Sequence, residues 1–416
     1  MIAAHRNAFN ASYTDDRYRA FVETLTRRIG APIEFRLSET PCFFAASLLD
    51  DLAAAAQAMI HQVIGDAGYR AAADAIVPAR FRLPHGETLP TFVQVDFGLV
   101  RVGDRTEGRL VELQAFPSLY GFQLALAEAS RAEWNLGALA VFPAGLNHDD
   151  YLHIVGRAIV GGHDPVEVVL MEIEPEKQKT RPDFAMTETL WGVRAIDVRT
   201  VAREGRQLFY DRDGRRVRIR RVYNRVIPDD LARAGITLPF DYRDDLDVEW
   251  TGGPDWFFRL SKFSIPFLRH PWVPKTMFLS EAIGGAEAPP YDRAGGADAT
   301  AAVVRGFSPG DDGWLLKPLF SYAGGGIIFA PAEADLAAIP AAERHLYVLQ
   351  ERVAFTPVIH TPHGPTQAEI RMMFVRDGDR YRFVLPLVRM GRGRMMGVDH
   401  NKGLQFVGAS AGLIAS

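Results

Sequence analysis

Two groups of residues in this sequence have the types and spacing to do chemistry, and the first is a lysine followed by a glycine-rich loop. Lys317 ends an apolar run, and the small-residue loop after it contains Ser321, Gly324, Gly325 and Gly326. A lysine at a strand end can place its ammonium on a phosphate oxygen, and glycines let backbone N–H groups approach closely. The stretch predicts a grip for nucleotide phosphates, although a β-hairpin with a glycine-rich turn has the same pattern.

The second group consists of acidic and amide side chains inside apolar runs. Asp96 lies in one such run, and Glu112 and Gln114 lie in the next, with a turn-like segment between the two. If the runs pair as an antiparallel hairpin, the three side chains can converge on one face. Oxygen ligands of this kind suit Mg²⁺, whose charge would offset that of half-buried carboxylates. The alternative is that the carboxylates face solvent on an edge strand.

Positive charge in this chain is carried almost entirely by arginine. Only six of the 47 basic residues are lysines, so a retained lysine indicates a need for a compact, flexible point charge, unless it is there by chance. Arg220, Arg221 and Arg225 cluster in one predicted strand. Forked guanidinium groups there could grip a substrate carboxylate, or the run could be a solvated face.

The elements around these residues predict a mixed α/β protein. Apolar residues recur at helical spacing over 45–67, and the run 166–173 has the continuous apolar character of a parallel strand. Polar loop residues and then a helical segment follow that strand. In α/β folds, ligands commonly bind at the loops that follow the carboxyl ends of such strands. The stretch 284–298 is rich in Gly, Ala and Pro and predicts a mobile loop.

Composition limits the classes of protein that the chain can belong to. With 416 residues, 48% of them hydrophobic and 24% charged, it is typical of a globular protein with two or three packed subdomains. The net charge of −4 argues against nucleic acid as a partner. A single cysteine, Cys42, rules out an intrachain disulfide framework. We find neither a signal peptide in residues 1–15 nor an apolar run of membrane-spanning length, so we expect a cytoplasmic protein without a membrane partner.

Together, the motifs resemble those of the circularly permuted ATP-grasp ligases, the family that includes glutathionylspermidine synthase. The order is the distinctive feature, because in this family the metal-binding strands come early and the ATP-binding lysines come late. The resemblance implies that ATP and Mg²⁺ are cofactors. It assigns the metal to Asp96, Glu112 and Gln114, although Gln114 stands where asparagine is usual in the family.

The same resemblance assigns the nucleotide site. Lys317 with its loop of Ser321, Gly324, Gly325 and Gly326 matches the second ATP lysine and its phosphate-covering loop. Lys275 is the best match to the first lysine, and Lys262 is the alternative. The resemblance further assigns the adenine hinge to Gln350 and Glu351, and a phosphate-facing arginine to Arg371.

We therefore expect a circularly permuted ATP-grasp fold with a central α/β subdomain on the substrate side. The expected segments are 1–150 with the metal-binding strands, 151–255 as the central subdomain, and 256–416 with the ATP-binding lobes. The expected reaction joins a small-molecule carboxylate to an amine through an acyl phosphate, with Arg371 and Arg225 as catalytic residues. Two alternatives are an ATP-dependent phosphotransferase and a non-catalytic ATP-binding protein of the same fold.

Overall fold

The structure is a computed structural model that describes residues 2–284, 306–321, 324–397, 401 and 403–415. The loop predicted at 284–298 lies, after its first residue, outside the described residues. None of the described helices is long and apolar enough to span a bilayer. The helices in chain order are α1 Ala3–Ser12, α2 Asp15–Ile29, α3 Ala46–Gly65, α4 Ala67–Ile76, α5 Tyr120–Glu133, α6 His148–Val160, α7 Arg181–Trp191, α8 Pro228–Arg233, α9 Trp256–Arg259, α10 Leu279–Ile283 and α11 Glu333–Ala337.

The described strands form four sheets, which together with the helices make the fold mixed α/β. The strands in chain order are β1 Cys42–Ala45, β2 Phe92–Val102, β3 Arg105–Gln114, β4 Val168–Glu172, β5 Arg194–Asp197, β6 Ala202–Glu204, β7 Gln207–Arg212, β8 Arg215–Ile219, β9 Arg221–Asn224, β10 Glu249–Thr251, β11 Thr276–Phe278, β12 Trp314–Pro318, β13 Ile328–Phe329, β14 Tyr347–Glu351, β15 Ile359–Thr361, β16 Gly364–Asp377, β17 Arg380–Gly391 and β18 Gly408–Ala415.

The largest sheet has seven strands in the order β1-β18-β17-β16-β2-β3, with β15 paired to β16. Only β1 and β18 pair in parallel, and β2 and β3 form the antiparallel hairpin that the sequence predicts. Alternate residues of β2 and β16 pack into an apolar cluster with helix α3, among them Val95 and Met372. Side chains alternate across a strand, so the residues between them point to the opposite face of the sheet.

A second, parallel sheet has the strand order β10-β9-β4-β5. Val168 and Leu170 on one face pack with helices α5, α6 and α7, while Val169 and Met171 pack on the other face with the hairpin sheet β6-β7-β8. Strand β4 is thus buried on both faces, which explains its continuous apolar sequence.

The third sheet, β11-β14-β12-β13, is antiparallel. Trp314, Leu316 and Leu349 on one of its faces pack with helix α10. Strands of the largest sheet come from both the 1–150 and the 256–416 segments, whereas the parallel sheet is built from residues between 168 and 251. The two terminal segments therefore build one sheet together.

Candidate functional site

The Asp96 face of the largest sheet meets the face of the β11-β14-β12-β13 sheet that carries Lys317 and Gln350, and Glu112 and Glu369 act on Lys317 there. We call the space between these polar residues the cleft. Asp96 lies directly opposite Glu112 on β3 and opposite Arg371 on β16. Across the cleft, Leu315 lies opposite Gln350, so Lys317, two residues further along β12, shares the face of Gln350. The convergence predicted for Asp96 and Glu112 is thus set by strand register.

Two lysines enter the cleft on the side of Glu112. Lys262 begins a short 3₁₀ segment, and its Nζ lies 3.1 Å from Oε1 of Glu112 and donates to the carbonyl oxygen of Ser321 at 2.5 Å. Lys317 is buried and donates to Oε1 of Gln350. Burial lowers the pKa of Lys317 to about 8, and the neighbouring Lys262 acts in the same direction.

Arg371 is the centre of a hydrogen-bonded group on the polar face of the large sheet. Its Nε and Nη2 donate to the two carboxylate oxygens of Asp96, each at 2.6 Å, and its Nη1 donates to Oε1 of Gln94 at 3.0 Å. With the amide of Gln114 turned to accept, its oxygen lies 2.7 Å from Nη2 and 3.2 Å from Nη1. We call Asp96, Gln94 and Gln114 the arginine clamp.

Sequence reasoning missed two residues of the cleft, Glu369 and Arg389. They lie opposite each other on β16 and β17, and Nη1 of Arg389 lies 2.7 Å from Oε1 of Glu369. Burial raises the pKa of Glu369, and Arg389 acts against that rise. Polar residues at positions 367, 369 and 371 alternate with apolar ones along a buried strand, and this pattern was the signal that could have identified Glu369.

The described part of the glycine-rich loop consists of Ser321 and residues 324–326, and Ser321 contacts the cleft by accepting from Lys262. Gly324 and Gly326 both have positive φ angles, 77° and 71°, a conformation that other residues adopt only with strain. A Cβ at Gly324 would lie 2.1 Å from Cε of Met395. Gly325 between them is exposed, and Ser321 is half-buried beside Lys262.

A cavity of about 290 Å³ lies at the end of the cleft next to the predicted hinge. Of the two predicted hinge residues, which precede the cavity-lining Arg352 in the chain, Gln350 is buried and Glu351 is exposed. The aromatic rings of Phe329 and Phe355 contribute to the lining of the cavity, together with Val353 and three arginines, which are Arg352, Arg392 and Arg394.

Lys275 does not enter the cleft. Its side chain is exposed, and its backbone N–H and carbonyl contact Glu351. Of the two lysines that the sequence left as alternatives, the structure brings Lys262 to Glu112 and Lys317, and it leaves Lys275 outside.

Arg225 lies beyond the other end of the cleft, at the carboxyl end of β9. It is buried, donates to the carbonyl oxygen of Pro117, and stacks over the ring of Phe116 at 5.0 Å. Its Nε has no hydrogen-bond partner among the described residues. Burial raises the pKa of Glu172, at the end of the adjacent strand β4, to about 7, and Arg225 acts against that rise.

Arg225 and Glu172 flank a switch in strand order. The chain runs from β4 outwards to β5 on one side, and from β9 outwards to β10 on the other. The crevice beyond the carboxyl ends of two such strands is the usual ligand site of an open parallel sheet. Of the other arginines in this run, Arg221 pairs with Glu249 and Arg220 with Glu167.

Hydrogen bonds connect the two ends of the cleft. Gln94 donates to the carbonyl oxygen of Ser118 at 2.8 Å, and Pro117, the neighbour of Ser118, accepts from Arg225. The buried carboxylate of Asp183 fixes this turn, because it accepts from the backbone N–H of Leu119 at 2.9 Å.

The chain matches no protein-family model and no curated protein. Its mixed α/β fold is nevertheless found among solved structures. It is similar to the apo structure of a glutathione synthetase-like effector from Globodera pallida, with a TM-score of 0.55 and 11% identity, over 95% of this chain and 96% of that chain. At this identity the similarity shows a shared fold over nearly the whole length of both chains.

Proposed function

We propose that the protein is an ATP-dependent carboxylate–amine ligase with a circularly permuted ATP-grasp fold. The observation that carries the proposal is the convergence of Lys262 and Lys317 on Glu112 in a cleft between two sheets. The fold shared with a glutathione synthetase-like protein supports it, and so does the order of the motifs along the chain.

We expect a nucleotide to lie along the cleft in one orientation. The base would lie in the cavity beside the hinge, where Phe329 and Phe355 offer apolar surface. The phosphates would lie between Lys317, Lys262 and the glycine-rich loop, because these groups supply positive charge and accessible backbone N–H groups.

The carboxylate substrate would lie at the other end, beside Arg225. A buried guanidinium with an unused N–H is costly unless a ligand accepts from it. A substrate carboxylate meets that need, and it would reach the phosphates along the turn at Pro117 and Ser118.

The residues present fit Mg²⁺ only through Glu112. Both oxygens of Asp96 accept from Arg371, whereas the Glu112 side chain is 24% exposed and has one lysine contact. Mg²⁺ in nucleotide sites is commonly held by one or two carboxylates together with phosphates and water. Bound in this way, it would neutralise charge on the phosphates.

The proposed reaction has two steps. An oxygen of the substrate carboxylate attacks the γ-phosphorus of ATP, the bond from this phosphorus to the β,γ-bridging oxygen breaks, and ADP leaves. The amine nitrogen then attacks the acyl carbon, the C–O bond to phosphate breaks, and the amine loses a proton to solvent. The protein positions the reactants and stabilises the charge, so no side-chain nucleophile is required.

The experiment that tests the proposal is ADP release from Mg-ATP, screened over small carboxylates with and without amines. The ligase predicts release that depends on both substrates and stops in Lys317→Met. Release that needs only a hydroxyl or carboxyl acceptor would indicate the phosphotransferase. Nucleotide binding without release under any combination would favour the non-catalytic alternative.

A further inference from the structure

The two arginines on the polar face of the large sheet differ in how their donors are used. Arg371 has five N–H groups, and all of them face acceptors of the arginine clamp. Its side chain is only 9% exposed. A phosphate in the cleft would therefore compete with a bidentate carboxylate and two amide oxygens for this guanidinium.

Arg389 is free to take a further acceptor. Its Nη1 pairs with Glu369, its Nη2 makes one long hydrogen bond of 3.4 Å to Oδ2 of Asp96, and its side chain is 25% exposed. Among the described residues, the hydrogen bonds of its side chain come from Nη1 and Nη2, and its Nε makes none. Arg389 thus keeps donors for a ligand while Glu369 holds its position on the sheet.

Arg389 also lies near the lysine that defines the phosphate site. Glu369, the partner of Arg389, is close enough to Lys317 to act on the pKa of that lysine. Arg389 and Lys317 therefore both lie near the buried carboxylate of Glu369. Three carboxylates lie in this group, those of Asp96, Glu112 and Glu369. The cations that face them are Arg371, Arg389, Lys262 and Lys317. Asp229 also interacts with Lys262, so the charges nearly balance, and it is the remaining donors of Arg389 that suit an anion.

On the basis of the proposed function, we propose that Arg389 contacts the transferring phosphoryl group and that Arg371 is a positioning residue. In the first step the carboxylate oxygen bonds to the γ-phosphorus as the bond to the bridging oxygen breaks, and the electron pair leaves with ADP. No proton moves in this step. Negative charge on the three transferring oxygens then meets the free donors of Arg389, an interaction that strengthens in the transition state.

The arginine clamp acts through Arg371. Asp96, Gln94 and Gln114 hold the guanidinium that joins β2, β3 and β16, and they thereby fix the strands that carry Glu112 and Glu369. This assignment replaces the expected metal-binding role of Asp96 and Gln114 with a structural one.

The test compares the dissociation constants of ADP and of a β,γ-imido analogue of ATP, both with Mg²⁺, by calorimetry. Arg389→Gln keeps a donor for Glu369 but removes the charge, so affinity for the analogue should fall about 10- to 100-fold. ADP affinity should change by less than about threefold, because ADP lacks the γ-phosphate. Arg389→Lys should restore most of the loss.

The matched control is Arg371→Lys. One ammonium cannot satisfy the planar fork of acceptors in the clamp, so this variant should lower the thermal midpoint and weaken both nucleotides by a similar factor. A selective loss of the analogue in Arg371→Lys, with Arg389→Gln unchanged, would overturn the assignment. If the wild-type protein binds neither nucleotide, the proposed function itself is wrong.

Discussion

Replacing Lys317 by methionine should stabilise the empty protein and abolish its affinity for nucleotide. Lys317 is buried, and burial beside Lys262 lowers its pKa from 10.5 to about 8. Each pKa unit corresponds to about 1.4 kcal/mol, so the charged lysine costs the folded state about 3 kcal/mol at neutral pH. Methionine has a similar length and removes this cost.

Part of the gain is offset, because Lys317 donates to Oε1 of Gln350. Losing that charged hydrogen bond costs about 1–2 kcal/mol, so the free energy of unfolding should rise by about 1–2 kcal/mol at pH 7. The gain must depend on pH. Between pH 8 and 10.5 the unfolded chain keeps a proton that the folded wild type has lost, so the wild type gains stability as the pH rises.

Urea unfolding of the wild type and of Lys317→Met at pH 7 and pH 9.5 measures this dependence. The difference between the two proteins should shrink by about 2 kcal/mol over the interval, because other titrating groups cancel. Nucleotide affinity of the wild type should fall about tenfold between pH 7 and pH 9, since the anion binds the protonated lysine. An equal difference at both pH values, together with retained nucleotide binding in the variant, would refute the reasoning.

Three further predictions follow from single contacts. Lys262→Ala should weaken nucleotide binding by about tenfold or more, because this lysine lies in the cleft. Lys275→Ala, at an exposed lysine, is the control. Equal losses of nucleotide affinity in the two variants, measured by calorimetry, would contradict the assignment of Lys262 to the nucleotide site. Burial raises the pKa of Glu172 to about 7, so the folded protein binds more protons than the unfolded chain between pH 4.5 and 7 and loses stability as the pH rises; Glu172→Gln should remove this slope in urea unfolding. A Cβ at Gly98 would lie 2.1 Å from Cε1 of Phe355, so Gly98→Ala should lower the free energy of unfolding by about 1–3 kcal/mol, and an unchanged urea midpoint would show that the ring can move.

Binding at the carboxyl ends of β4 and β9 can be tested apart from catalysis. If Arg225 grips a carboxylate, Arg225→Lys should raise the KM for the carboxylate substrate and leave nucleotide affinity within about twofold, because the lysine cannot form the same fork. Calorimetry with ADP and initial rates of ADP release provide the two measurements. A loss of nucleotide affinity in this variant would place Arg225 with the phosphates instead.

The elements that position the candidate site were predictable from the sequence. Apolar runs rich in β-branched and aromatic residues, with a turn-like segment between them, predict the β2–β3 hairpin, and the hairpin brings Asp96 opposite Glu112. Helical spacing of apolar residues predicts α3. Such patterns are local, since they depend on the side-chain period of a single element.

The pairing of charges was not predictable in the same way. Asp96 and Arg371 are 275 positions apart in the chain, and their contact depends on which strands become neighbours. Glu369 and Arg389 pair within the β16–β17 hairpin, but their position near Asp96 and Lys317 became visible only when β16 was placed beside β2. The sequence predicted an acidic face but could not indicate that arginines already satisfy part of it.

The sequence by itself determined which residues could do chemistry here: a lysine before a glycine-rich loop, and acids within apolar strands. The tertiary structure decided which of them act together. It placed Lys262 rather than Lys275 beside Glu112, and it used Asp96 to hold Arg371. The physical reason is that a buried charge requires a partner, and the partners here are brought together by strand order, which no local pattern in the chain specifies.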